Sequence, residues 1–217
     1  MKRISAFARF FMACFCAYCP LSSASVMDFE SLPSGTRFAD DLDNFPSQLV
    51  LEEDGIRLFL EEFRLHRFVG FFEAQVVDGG DNALRLDNMS VLIDLDQVGF
   101  PVNSLTLEYM ELGGNDNFAV NGGPILQLDD LTEIPTDIAP GVIATVDEGI
   151  ITLTGLIDRV LIGGQELTID TIVAVPEPAS LVLLGVGGAW ILRRTRRGTN
   201  FSRRAPRRQA SLRQLPD

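Results

Sequence analysis

Three absences narrow what this chain can be. It holds three cysteines, one histidine and one tryptophan in 217 residues, and none is placed where site chemistry would need it. Cys14, Cys16 and Cys19 all fall within the first twenty residues. If that segment is removed, the mature protein has no disulfide, no cysteine nucleophile and no thiolate metal site. His66 stands in Arg64-Leu65-His66-Arg67, among cations. A Ser-His-Asp machine needs a histidine held by a carboxylate beside a serine, and nothing local supplies that. A surface or edge-strand histidine is the expectation, and a histidine-based zinc site is excluded. Trp190 lies in the apolar segment near the C-terminus, so sugar stacking would fall to Tyr109 and a few phenylalanines, most of them core.

Basic charge is nearly missing from the middle of the chain. Only six arginines lie between Ser25 and Val175, a stretch that holds most of the Asp and Glu. It is therefore far more acidic than the net charge of −12 suggests. Such a surface repels phosphates and excludes a nucleic-acid partner, while it suits solubility, cation binding or contact with neutral sugars. The arginines are concentrated at the two ends, so the ends do a different job from the middle.

Residues 1–24 read as a secretory signal peptide that engages the Sec translocon. Lys2, Arg3 and Arg9 form the basic region, Phe10 to Leu21 the apolar core, and Ser22-Ser23-Ala24 the small residues that signal peptidase reads. Cleavage is expected between Ala24 and Ser25. The alternative, a lipoprotein modified at Cys19, is opposed by the bulky Cys16-Ala17-Tyr18 before it.

At the other end, Ala179–Leu192 is apolar and uncharged. As a helix, its fourteen residues cover about 21 Å, short of the roughly 30 Å hydrocarbon core. Arg193, Arg194, Arg196 and Arg197 follow as a membrane stop. Their stems can snorkel, which makes a short helix tolerable, and they stay cytoplasmic, which puts the acidic domain outside. Pro176, Glu177 and Pro178 precede the helix, which must begin after them because proline cannot sit in a helix interior. A plain membrane anchor leaves the Pro-Glu-Pro and the short length unexplained. Residues 198–217 form a basic tail without apolar periodicity, expected to be disordered.

Residues 175–197 resemble the PEP-CTERM sorting signal of Gram-negative bacteria: Pro176-Glu177-Pro178, a short apolar helix over 179–192, then Arg193–Arg197. The resemblance covers about a tenth of the chain. It implies recognition by an exosortase, a membrane-embedded cysteine protease that cleaves near the motif. It further implies an inner-membrane-anchored intermediate, then passage to the cell surface or the exopolysaccharide matrix.

Residues 25–174 read as an exported, all-β domain. Leu105, Leu107 and Tyr109 alternate with Thr106 and Glu108, as do Val91, Ile93 and Leu95 with Asp94 and Asp96, and Ile151 and Leu153 with Thr152 and Thr154. Period-two alternation predicts half-buried antiparallel strands. Turn residues predict a hairpin from Gln48–Leu51 into Ile56–Leu60 around Glu52-Glu53-Asp54-Gly55, with a short helix over 56–68 as the alternative. A second hairpin is expected from Val160–Ile162 through Gly163-Gly164 into Gln165–Ile169. Gly113-Gly114-Asn115-Asp116 is expected to turn Ser104–Leu112 back into Phe118–Val120. Eight or more short strands suggest a β-sandwich of jelly-roll or galactose-binding-like type, with Val26–Phe29 and Leu167–Val173 as neighbouring terminal strands.

Oxygen-rich turns are the candidate metal sites: Asp40–Asn44, Asp78-Gly79-Gly80-Asp81-Asn82 and Asn115-Asp116-Asn117. Calcium takes such hard ligands, and a structural calcium at Asp78 and Asp81 leads; simple Asx-turn formation is the plainer reading. Carboxylate pairs such as Glu52/Glu53, Glu61/Glu62 and Asp129/Asp130 would serve a polysaccharide hydrolase only from facing walls of a cleft. The sequence therefore points to a non-catalytic surface or matrix protein. A calcium-dependent carbohydrate-binding module is the alternative, with exopolysaccharide as the partner.

Overall fold

A computed structural model describes residues 23–38, 47–64, 73–78 and 80–176. Nearly all of it is antiparallel β-structure. Fifteen strands, numbered in chain order, form two sheets among these residues. The larger sheet runs β11 (Asp137–Ala139), β12 (Val142–Asp147), β13 (Ile150–Ile157), β8 (Val102–Glu111), β15 (Leu167–Pro176), β6 (Asn82–Asp87), β5 (Glu73–Asp78) and β2 (Arg37–Phe38), with β1 (Ser25–Met27) also on β15. The smaller sheet runs β10 (Leu126–Leu128), β9 (Asp116–Val120), β14 (Arg159–Gly164), β7 (Met89–Asp94), β4 (Ile56–Glu62) and β3 (Leu49–Glu53).

The period-two pattern explains the burial. Leu105 and Leu107 on β8, Ile151 and Leu153 on β13, Val91 and Ile93 on β7, and Leu58 and Leu60 on β4 are all fully buried. Residues of both sheets belong to one hydrophobic cluster. On the other face of the smaller sheet, Arg57 and Asp94 stand opposite each other on β4 and β7 and form a 2.6 Å ion pair. The Arg57 guanidinium also lies 5.5 Å from the Phe59 ring centre.

The hairpin around Asp54-Gly55 forms as expected. Both residues take positive φ, 48° and 81°, the geometry that joins two strands through a two-residue turn. The terminal strands are neighbours too: Val26 pairs with Val173.

Two expected hairpins do not form. Val160–Ile162 lies on β14 in the smaller sheet, between β7 and β9, while Leu167–Ile169 lies on β15 in the larger one. The chain crosses between sheets at Gln165-Glu166. Gly163 and Gly164 are strand residues chosen for closeness, without positive φ. A Cβ on Gly163 would sit 2.3 Å from Ser90 Oγ and 2.5 Å from the Met89 carbonyl oxygen. In the same way, Gly113-Gly114 carries β8 of one sheet into β9 of the other, so Ser104–Leu112 does not pair with Phe118–Val120. Alternation fixes which side of a strand is apolar. It does not say which strand lies alongside, and a glycine pair serves a crossover as well as a hairpin.

Residues 1–22, the Asp40–Asn44 turn, His66, Gly79, the expected helix 179–192, the arginine stop and the 198–217 tail lie outside the described residues. Among the described residues no helix is long and apolar enough to cross a membrane.

Candidate functional site

The residue that follows the expected signal cleavage and the first proline of the sorting triplet lie at the same end of one sheet. Ser25, the first residue after the expected signal cleavage, is buried on β1 and pairs with Ala174 on β15. Ala24 is exposed. Antiparallel pairing then brings the chain's exit to the same end of the sheet: β15 continues through Val175 to Pro176, which stands opposite Val102 at a register shift. Pro176 has no N–H to give a neighbouring strand, so it is a natural last residue for β15. The first proline of the sorting triplet thus belongs to the folded domain, while Glu177 and Pro178 lie outside the described residues.

The same end carries a small open cleft of about 320 Å³, lined by Leu95, Asp96, Phe100, Pro101, Val102 and Asp158 among others. Asn121 stiffens its rim: its Nδ2 donates to the Leu156 carbonyl at 2.8 Å and its Oδ1 accepts from Asp158 N at 2.8 Å.

Asp78 and Asp81 sit at the turn from β5 to β6. Asp78 Oδ1 accepts from Gly80 N at 3.1 Å, an Asx turn. Asp81 instead joins a wider acidic group. Burial pushes the Asp170 carboxyl on β15 up, the Thr171 hydroxyl opposes this, and Asp81, Glu30 and Asp28 add to the rise. Glu30 Oε1 accepts from Asn82 N at 2.7 Å, and Asn82 Nδ2 donates to the Leu32 carbonyl at 3.0 Å. Among the described residues no three acidic, histidine or cysteine side chains are arranged to hold a metal ion.

The third oxygen-rich turn, Asn115-Asp116-Asn117, proves to be three different things. Asn115 Nδ2 donates to Asp129 Oδ1 at 2.8 Å. Asn117 is buried and clasps Arg64 through both backbone groups, at 2.8 Å and 3.0 Å. Asp116 is 1% exposed and points to the interior, where burial first and Glu111 second raise its carboxyl to about 8. Sequence reasoning singled out neither Glu111 nor Asp170. The available signal was a lone acid in an apolar strand, Leu-Thr-Ile-Asp-Thr-Ile-Val on β15, and the acid that ends the alternation of β8.

Comparison with known families finds a match at the C-terminal end: residues 174–197 fit the PEP-CTERM protein-sorting motif. Searches of curated proteins and of solved structures return no match. The matched span starts inside β15 and covers the triplet, the apolar segment and the arginines. The chain therefore carries a PEP-CTERM sorting motif, which marks it for handling by an exosortase and delivery to the cell exterior.

Proposed function

We propose that the chain is a non-catalytic β-sandwich component of the cell surface or its exopolysaccharide matrix. It is exported through the Sec translocon, trimmed by signal peptidase after Ala24, held briefly in the inner membrane and released by exosortase cleavage near Pro176–Ala179. The observation that carries the reading is the sorting motif fused directly to the last strand of the domain. Strand order supports the jelly-roll form. β6-β15-β8-β13 in one sheet and β7-β14-β9-β10 in the other reproduce its double Greek-key wrap, with the remaining strands added at the edges.

The test is the C-terminus of the protein recovered from the native host, read by peptide mass spectrometry on membrane, medium and matrix fractions. An end near Pro176–Ala179, concentrated outside the membrane, is expected. An intact chain retained in the membrane would make the segment a permanent anchor.

A second reading, a carbohydrate-binding module, is favoured by the cleft beside the exit. It offers the Phe100 ring with the carboxylates of Asp96 and Asp158, an apolar face flanked by acceptors for sugar hydroxyls. On this reading, the protein gives a saturable isotherm on the host's purified exopolysaccharide. Phe100→Ala then weakens binding by about tenfold, the loss of one stacking contact of about 1.4 kcal/mol. Binding that is absent, or untouched by the substitution, would remove the cleft from consideration.

A further inference from the structure

Asp116 is the one acid among the described residues with its whole side chain enclosed. It lies on β9 of the smaller sheet, opposite Gly164 on β14 and Leu128 on β10. Gly164 makes room for it: a Cβ there would stand 2.6 Å from Asp116 Oδ1. Asp116 Oδ2 is buried with no hydrogen-bond partner. The group its carboxyl does meet is that of Glu111, at the end of β8 in the larger sheet. Glu111 Oε2 in turn accepts from Leu131 N at 3.3 Å, at the 3-10 turn Leu131–Glu133.

Two carboxylates are acceptors only. Here one is buried and the other half-buried; placed against each other they repel, and neither satisfies the other. One proton between them turns the clash into a short, charge-assisted hydrogen bond. Its location follows from the partners. Glu111 already accepts an N–H, so it is the acceptor, while Asp116 Oδ2 lacks any donor and takes the proton. We propose that Asp116 and Glu111 share one proton at neutral pH, forming a hydrogen bond that ties the two sheets together at this end and loosens when alkaline conditions remove it.

The other charged and titratable groups facing the pair are few. Asp130 before the 3-10 turn adds to the rise at Asp116, and Tyr109 on β8 is itself raised, by burial first and then by Asp130 and both carboxylates, while β10, β14 and β15 present Leu128, Gly164 and Leu167. Asp130 is held by Thr132, its Oδ1 accepting from Thr132 N at 2.7 Å and Thr132 Oγ1 at 2.6 Å. No cation among these groups offsets the second negative charge. The consequence matters for an exported domain, which meets the pH of its surroundings. Loss of the proton puts two charges beside the residue that holds Leu131, so the segment around the 3-10 turn is the first to loosen.

The sign follows from linkage. The folded form keeps the proton while the unfolded aspartate has lost it, across the window from 3.8 to about 8. Stability due to this group therefore declines as pH rises through that window. The test is thermal unfolding of the full chain in mild detergent, followed by far-UV circular dichroism from pH 5 to pH 9, for wild type, Asp116→Asn and Glu111→Gln. Relative to Asp116→Asn, wild type should lose about 4 °C for each pH unit between pH 5 and pH 8, while Glu111→Gln, which leaves Asp116 buried but removes its carboxyl partner, should show a shallower loss than wild type. Asp116→Asn, whose amide donates without a charge, should be the more stable protein at pH 8. Parallel pH curves for wild type and folded Asp116→Asn, or identical curves for wild type and folded Glu111→Gln, would overturn the proposal. So would a calcium-dependent rise in melting temperature lost in Asp116→Asn, because a cation would then bridge the pair. Infrared spectroscopy of wild type alone gives a reading independent of variant folding: a protonated-carboxyl C=O band persisting at pH 7 is expected, and its absence overturns the assignment.

Discussion

Replacing Pro176, Glu177 and Pro178 together by alanine is expected to strand the protein in the membrane. The chain should keep its full C-terminal mass, and the released form should fall to background in medium and matrix fractions. β15 ends at Pro176 against Val102, so Glu177 and Pro178 are the first residues of the chain beyond a paired strand. A protease bound in the membrane has only the residues between that strand and the apolar segment to work on, and Glu177 and Pro178 of the triplet occupy them. Alanines there leave the length and the apolar segment unchanged, so a simple anchor would behave as before. The domain should fold equally well, because Pro176 contributes no N–H to the ladder. Unchanged circular dichroism alongside membrane retention is the expected pair of results. Release of a trimmed product from the triple variant would show that the triplet is not what the protease reads.

The largest effect on stability is expected at Gly163. Gly163→Asn should destabilise the protein by about 3 kcal/mol or more, because the new side chain meets backbone on a central neighbouring strand. Its Cβ alone would stand 2.5 Å from the Met89 carbonyl oxygen and 2.6 Å from Ser90 Cα, and neither can swing aside. The contrast is Gly122→Asn. Gly122 follows Asn121 at a turn with positive φ, 69° and 54°, and nothing lies within 4 Å of where its Cβ would stand. Asparagine tolerates that conformation, so the cost should stay within about 1 kcal/mol. Chemical denaturation of the two variants separates a turn glycine from a packing glycine. Equal, small losses at both positions would mean that β14 does not lie against β7 as closely as it does here.

What the sequence alone determined is local or terminal. Alternation over Leu105–Tyr109, Val91–Leu95 and Ile151–Leu153 set the strands and their buried faces, because a strand's period of two is a property of the chain itself. Asp54-Gly55 set its hairpin, because both positions need positive φ and the flanking strands have nowhere else to go. The Pro-Glu-Pro, the apolar segment and the arginines set the sorting signal, which is read as a linear string. Only the tertiary structure decided the rest. Which strands pair is a matter of distant neighbours, so Gly163-Gly164 and Gly113-Gly114 became a close contact and a crossover in place of two hairpins. Burial of one acid among many likewise cannot be read from composition. Asp116 and Glu111 are five residues apart across a glycine turn, an ordinary pair in an acidic chain. They meet because that turn carries the chain from one sheet to the other, leaving each acid pointing into the space between them.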